Sequence, residues 1–274
     1  MQNNPSKVRI FFIGDVIGKP GRRLVEKSLY LIKKKYKPDL VIANGENSAG
    51  GLGIIPKTAS ELFSSGVDVI TSGNHVWDKR EALELLDNNE MIIRPLNYPK
   101  SVPGKGYCIY NIKDKGEIVV VNLQGRVFME PVVDNPFIII EDWLKTIKSK
   151  IIIVDFHAEA TAEKQAMGFF LDGKVGAFLG THTHVPTADL RILANGTAYQ
   201  SDVGMTGSLD SVIGMKRKPV IDKFITGINQ RWEVAKNNTI MDMAIIDFDI
   251  NTGRAVSAES HRFYNDKIEQ EFGY

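Results

Sequence analysis

The chain has 274 residues, 43% of them apolar, enough for a well-buried core in one large domain or two small ones. Its 34 basic and 33 acidic residues leave a formal charge of +1, which excludes the broad positive field that non-specific nucleic-acid binding needs. A single cysteine, Cys108 in the run Gly-Tyr-Cys-Ile-Tyr, excludes an intrachain disulfide and a thiolate metal cluster within one chain.

Val8 to Ile13 reads as a buried first strand, interrupted by Arg9 and closed by Asp15, and is too short for the apolar region of a signal peptide. No stretch reaches the roughly 20 apolar residues of a membrane span, so the expectation is a cytoplasmic protein without a membrane partner. After Pro20, Leu24, Val25, Leu29, Ile32 and Tyr36 recur at helical spacing until Pro38. The same strand-then-helix unit recurs in Leu40 to Ala43 with a helix from about Pro56, and in Val67 to Thr71 with a helix from about Lys79. Gly106 to Ile112 and Ile118 to Leu123 read as a hairpin around the polar turn Lys113 to Gly116. The alternation resumes with a helix near Phe137 to Ile147, a strand Ile151 to Asp155, a helix near Ala162 to Phe170 and a strand Val175 to Leu179. Asn195-Gly196, between Leu190 to Leu193 and Thr197 to Gln200, signals a two-residue hairpin, and Met241 to Ile250 reads as a long strand. No repeat or linker interrupts the chain, so the expectation is one α/β domain over residues 1–274, a two-sheet sandwich flanked by helices.

Five polar clusters follow these strands closely: Gly14-Asp15, Gly45-Glu46-Asn47, Gly73-Asn74-His75, Phe156-His157 and Gly180-Thr-His182-Thr-His184. The carboxyl edge of an open α/β sheet is where loops converge on ligands, so the five are expected to share one crevice. Four of the five histidines lie in them and only His261 lies outside. A lone histidine at a strand end is most simply a hydrogen-bonded structural residue, but the set points to metal. If the backbone stays extended, His182 and His184 project to one side. The glycine before four of the clusters suits either a tight turn or close approach of the backbone to a ligand. Gly14 to Gly21 is not a phosphate loop, because three residues rather than four separate Gly14 from Gly18 and Pro20 follows Lys19.

In order and spacing these motifs resemble those of the calcineurin-like metallophosphoesterases. Ile17 stands where that superfamily commonly has its first histidine, and Glu46 where it has a bridging aspartate. With Asn-Gly-Glu-Asn-Ser-Ala-Gly-Gly at 44–51 and Asp-Val-Gly-Met-Thr-Gly at 202–207, these departures are similar to the bacterial YmdB-type branch. The resemblance implies a four-layer αββα fold and a dinuclear centre, one metal on Asp15, Glu46, Asn47 and His184, the other on Glu46, Asn74, His157 and His182, with Glu46 bridging. It further implies a cyclic-nucleotide phosphodiesterase, acting on 2′,3′ and also 3′,5′ forms, with a bridging hydroxide as nucleophile and His75 as general acid. An imidazole, carboxylate and amide donor set favours iron or manganese, with zinc also compatible. The same centre would serve a phosphomonoesterase or a nuclease, or a sensor that binds nucleotide or RNA without turnover. A small phosphodiester is the expected partner, nucleic acid the less favoured one, and self-association stays open.

Three further features are weighed at this level. Trp77 and Asp78 after His75 could stack on a base and orient His75, but are read as a helix-packing indole and an N-cap before Lys79. Lys216-Arg217-Lys218 is read as a solvated loop outside the site. The glycine-rich run Gly204 to Gly214 is left open between pocket wall, mobile lid and subunit contact, and no substrate-binding residue is identified.

Overall fold

The computed structural model describes residues 6–272; the first five residues of the segment weighed as a leader lie outside this range. In chain order the elements are β1 (Lys7–Ile13), β2 (Asp15–Val16), α1 (Gly18–Tyr36), β3 (Leu40–Asn44), α2 (Pro56–Ser64), β4 (Val69–Thr71), α3 (Glu81–Asn88), β5 (Tyr107–Ile112) and β6 (Gly116–Gln124). There follow α4 (Pro136–Leu144), β7 (Ile151–His157), α5 (Thr161–Leu171), β8 (Ala177–Thr181), β9 (Arg191–Ile192), β10 (Ala198–Gln200), β11 (Met205–Ser208), α6 (Arg217–Thr226), β12 (Thr239–Asp249), β13 (Ala255–Tyr264) and α7 (Asn265–Phe272). Local chemistry sets several ends. Lys37 takes the left-handed conformation and donates its N–H to the Lys33 carbonyl just before Pro38, closing α1. Asn135 caps α4 by accepting from the Phe137 N–H, with Pro136 at the first helical position.

The strands form two sheets, one ordered β2-β11-β12-β1-β3-β4 with β13 on the other edge of β12, and one ordered β5-β6-β7-β8-β10-β9. Strands β1, β3 and β4 are mutually parallel, as are β6, β7, β8 and β10. Side-chain alternation assigns each row to a layer. Val8, Ile10 and Phe12 of the first sheet meet Ile118, Val120, Ile151, Ile153 and Leu179 of the second in the core between the sheets. Phe11 and Ile13 face the other way, onto Leu24, Leu29 and Ile32 of α1, Leu62 of α2 and Leu86 of α3. On the far side, Val119, Val121, Ile152 and Val154 pack against Ile140 and Trp143 of α4 and Met167 and Leu171 of α5. The result is the expected αββα arrangement, and burial on both faces explains why these strands read as continuous apolar runs. Among the described residues no helix is long and apolar enough to cross a membrane.

Several expectations change. The hairpin around Asn195-Gly196 is longer than two residues: its last paired positions are Ile192 and Ala198, with the Leu193 N–H on the Thr197 carbonyl and Gly196 at φ 98°. Lys216-Arg217-Lys218 is not a loop but the N-terminal end of α6, with Lys218 paired to Asp222 one turn on. The run Gly204 to Gly214 supplies β11, which joins β2 to β12. Strand β13, not anticipated from the sequence, pairs antiparallel along β12 and is exposed at several positions.

The inter-sheet core rests on a few large side chains, of which Phe12 is fully buried. Phe12→Ala is expected to destabilise the protein by about 3–5 kcal/mol, the usual cost of emptying an aromatic core site, read as a lower urea midpoint at an unchanged m-value.

Candidate metal centre

The rows that build the inter-sheet core end in polar residues. Continuing the inward row of each strand toward its carboxyl end gives Asn44 after Leu40 and Ile42, Asn122 after Ile118 and Val120, Asp155 and His157 after Ile151 and Ile153, and Thr181 after Ala177 and Leu179. All five polar side chains are fully buried, so they must satisfy one another. Asn44 donates across the sandwich to the Asp155 carboxylate at 3.1 Å and to the Ser72 carbonyl at 3.1 Å. Asn122 accepts from the Ser72 N–H and donates to the Asp155 carbonyl. Burial pushes the Asp155 carboxyl up to about 7, against the pull of nearby His157 and its hydroxyl donors.

This polar floor fixes the orientation of His157. Thr181 Oγ1 donates its one proton to Asp155 at 2.7 Å, so toward His157 Nδ1, 2.9 Å away, it is an acceptor. In the neutral ring the proton therefore sits on Nδ1 and the Nε2 lone pair faces the crevice; without a cation the surrounding carboxylates favour a second proton on Nε2. The other two histidines are oriented the same way. His184 Nδ1–H donates to the Ile213 carbonyl at 2.9 Å, and His182 Nε2 lies 3.1 Å from the Glu159 carboxylate. Each ring thus gives its outer nitrogen to an oxygen and turns the other inward, the arrangement that holds a metal-ligating imidazole in place.

The inward atoms fall into two groups. Around His157 Nε2 stand Glu46 Oε1 at 2.9 Å, His182 Nδ1 at 3.0 Å and Asn74 Oδ1 at 3.1 Å. Three acceptors cannot share the single proton one ring nitrogen carries, whereas a shared cation satisfies all four; the donor set therefore fits a metal. Donor atoms of Glu46, His157 and His182 all lie within 4.8 Å of one another. In the second group His184 Nε2 lies 3.7 Å from Asp15 Oδ1 and 3.2 Å from the Asn47 amide, which in turn is 3.2 Å from Glu46 Oε1. Interchange of oxygen and nitrogen in the Asn47 amide keeps the same envelope and presents an acceptor there. All seven residues expected to bind metal are in one crevice, with Glu46 touching both groups.

Charge in the cluster is strongly coupled. For Glu46, burial alone would raise the carboxyl, but the His157 charge and hydrogen bond outweigh it and hold it down at about 2. Burial likewise opposes protonation of His157, and the carboxylates of Glu46, Asp15 and Asp155 override it, raising the ring to about 9. Burial and the neighbouring His157 charge depress His182 to about 2. Burial lifts Asp15 above the usual carboxylate range despite His184 and His157.

His75 stands at the rim rather than inside the cluster. Its backbone N–H donates to Glu46 Oε2 at 3.1 Å, and its Nδ1 lies 2.9 Å from Asp78 Oδ2. This corrects the N-cap reading of Asp78: the residue preceding α3 is Arg80, which makes no side-chain cap. Trp77 packs edge-on against Tyr98, as a structural indole. The glycines also serve a different purpose from the one weighed: their missing Cβ atoms make room for protein. A Cβ at Gly73 would strike the His157 ring and the Glu46 carboxylate, and one at Gly180 would strike the Ser201 carbonyl.

The backbone of 182–184 is not extended, since β8 ends at Thr181 and His182 and His184 have φ of 103° and 64°. Non-glycine residues adopt this region only when their surroundings impose it. The clamp is a buried ion pair absent from the sequence reading. Lys164 of α5, 2% exposed, donates to Asp202 Oδ2 at 2.7 Å and to the Thr181 carbonyl at 2.9 Å. Asp202 also accepts from the Thr183 N–H, the Thr183 hydroxyl and the Gly204 N–H, while the His182 N–H goes to Asp15. The fully buried lysine had one legible signal, its place on the apolar side of α5 beside Met167 and Leu171.

A family model described as "YmdB-like protein" matches residues 11–260. The chain is 46% identical over 254 residues to a Bacillus subtilis (strain 168) protein named 2′,3′-cyclic-nucleotide 2′-phosphodiesterase, covering 92% of this chain and 96% of that one. Among solved structures it resembles a hypothetical protein from Thermus thermophilus, at 40% identity and TM-score 0.88 over 94% of this chain and 99% of that one. It also resembles a protein from Mycoplasma pneumoniae described as a novel phosphatase, at 37% identity and TM-score 0.90 over 96% and 95%.

The clamp and the cluster each generate an expected outcome. Lys164→Met leaves the Asp202 charge buried without its cation and should cost about 3–5 kcal/mol, with part of the loss recovered in Lys164→Met/Asp202→Asn; urea denaturation of both variants measures this. A His157 ring raised to about 9 holds a proton at neutral pH that an entering cation must displace. Metal affinity should therefore rise with pH, by about tenfold per unit for the one proton, and level off above about pH 9. Titration calorimetry of metal-free protein in buffers of different ionisation enthalpy counts that proton, and a pH-independent affinity would refute it.

Proposed function

Because the chain belongs to the YmdB-like family, we propose that it is a metal-dependent phosphodiesterase that hydrolyses cyclic nucleotides, the 2′,3′ forms and also the 3′,5′ forms. The observation that carries this reading is the orientation of the three histidines: each donates its outer N–H to an oxygen and turns a lone pair toward the buried carboxylates. The Bacillus subtilis relative's name supplies the substrate class.

In this reading Asp15, Glu46, Asn47 and His184 would hold one divalent ion, and Glu46, Asn74, His157 and His182 a second, with iron or manganese preferred over zinc for this donor set. Bound there, the ions would supply Lewis acidity toward a phosphodiester and acidify a water to a pKa of about 7.

The rest falls to the protein's own side chains. Thr181, Glu159 and the Ile213 carbonyl keep the three rings from turning, so the inward lone pairs need no reorganisation when substrate arrives. His75 lines the same cavity as Glu46, His182 and His184. With Nδ1–H on Asp78, a protonated His75 directs its other N–H into the cavity, where it delivers a proton to the departing ribose oxygen. The Asp78 carboxylate holds the ring by its Nδ1–H before and after the transfer.

His75→Ala should keep its metal, because the side chain is outside the two donor groups. It should slow single-turnover hydrolysis of a 2′,3′-cyclic nucleotide by about 10²- to 10⁴-fold, the range of general acid catalysis. Bis-p-nitrophenyl phosphate, whose leaving group departs without a proton, should lose far less. Equal losses on both substrates with metal retained would remove His75 as the acid, and loss of metal would make it a ligand. A strong preference of the native protein for p-nitrophenyl phosphate over the diester would instead favour a phosphomonoesterase, and binding without turnover in iron-, manganese- and zinc-loaded protein a sensor.

A further inference from the structure

The cavity above the metal-ligand cluster, about 260 Å³, has two unlike walls. One is the polar wall of Glu46, Asn47, His75, His182 and His184; the other is formed by Leu52, Ile213, Met215 and Trp232, with Gly51 close against Met215. Leu52 and Ile213 are 43% and 39% exposed, a cost in apolar surface that falls at the mouth of the crevice.

Ile213 is the more telling of the two. Its φ of 48° is unfavourable for a β-branched residue, and its carbonyl is the one that orients His184. The same strained residue therefore fixes a cluster imidazole and lines the cavity. Trp232 borders the cavity too, with the Lys223 ammonium 5.0 Å from its ring centroid, and Met215 contributes a polarisable side chain that adapts to flat ligands. The polar groups at the rim are already engaged: Glu159 with His182, and the Thr183 hydroxyl with Asp202.

We propose that Leu52, Ile213, Met215 and Trp232 form a nucleobase subsite, which holds the base of the substrate by apolar and aromatic contact while its phosphate lies on the polar wall. The assignment rests on the cyclic-nucleotide reading above. Since this wall offers a base edge one side-chain donor, the Trp232 indole N–H, and no strong acceptor, the subsite recognises mainly that a base is present and discriminates little among bases by hydrogen bonding. Purines, with the larger face, bind better than pyrimidines by contact area alone.

The test compares adenosine 2′,3′-cyclic phosphate with ribose 2,3-cyclic phosphate, which lacks the base, on metal-loaded protein. Trp232→Ala should raise KM for the adenosine substrate by about tenfold, within the range of one base–aromatic stack, at unchanged kcat. It should leave the baseless substrate unaffected, and Trp232→Phe should restore most of the loss. Leu52→Ser, at an exposed position, repeats the comparison without risk to the fold. Equal effects on both substrates, or none, would overturn the subsite. If the native protein cleaves bis-p-nitrophenyl phosphate but no cyclic nucleotide, the cyclic-nucleotide reading fails on its own. The wall is then judged by competitive inhibition of bis-p-nitrophenyl phosphate hydrolysis: adenosine 3′-monophosphate should outcompete ribose 5-phosphate in native protein and lose that advantage in Trp232→Ala. No such advantage in the native protein refutes it.

Discussion

The hydrogen-bonded chain from Asn44 through Asp155 and Thr181 to His157 is the constraint on which the crevice depends. It lies where two apolar sheet faces would otherwise close on each other, and polar groups buried there are tolerated only when every one is paired. Satisfying Asp155 uses a side chain from each sheet, so the polar floor also fixes how the two carboxyl edges sit relative to one another. A direction for the His157 ring follows, and with it the position around which Glu46, Asn74 and His182 assemble.

A second constraint acts from the side. The loop carrying His182 and His184 departs from strand geometry at once, and its left-handed residues are held by Asp202 and Lys164 behind and by Asp15 in front. A buried ion pair of this kind contributes little net stability, since desolvation offsets its attraction. Its value here is geometric: one carboxylate, accepting from Thr183 and Gly204 together, sets the turn that aims two imidazoles at different donor groups. Rigidity at the floor and at this turn contrasts with the rim, where His75 and Asp78 are partly exposed. In the role proposed for His75, a proton donor would have to meet both substrate and solvent to be recharged.

The apolar wall follows from the same strand edge. Strand β11 brings the segment 204–215 alongside β2, which places Ile213 next to His184 and seats Met215 on the small cluster of Ile17, Met205 and Val220. Ile17 is part of that cluster and fully buried, so it supports the wall from beneath Met215.

The layer pattern and the membership of the crevice were legible in the residues alone. Continuous apolar runs mark strands buried on both faces, and the polar clusters that follow them closely mark the edge where polar groups gather; all seven residues expected to bind metal, and His75, are found at that edge. Ring direction was left to the folded chain, because the tautomer of each histidine depends on an oxygen 24 or more residues away or on a partner carboxylate. So was the course of residues 182–184, for which an extended backbone was only a condition and which a buried Lys164–Asp202 pair bends. The partnership of Asp78 with His75 belongs to the same class: a carboxylate three residues on is equally suited to cap a helix or to orient a ring, and only the start of α3 at Glu81 decides between them. Local sequence sets periodicity and residue type, whereas hydrogen-bond direction and loop conformation are decided by contacts between segments far apart in the chain.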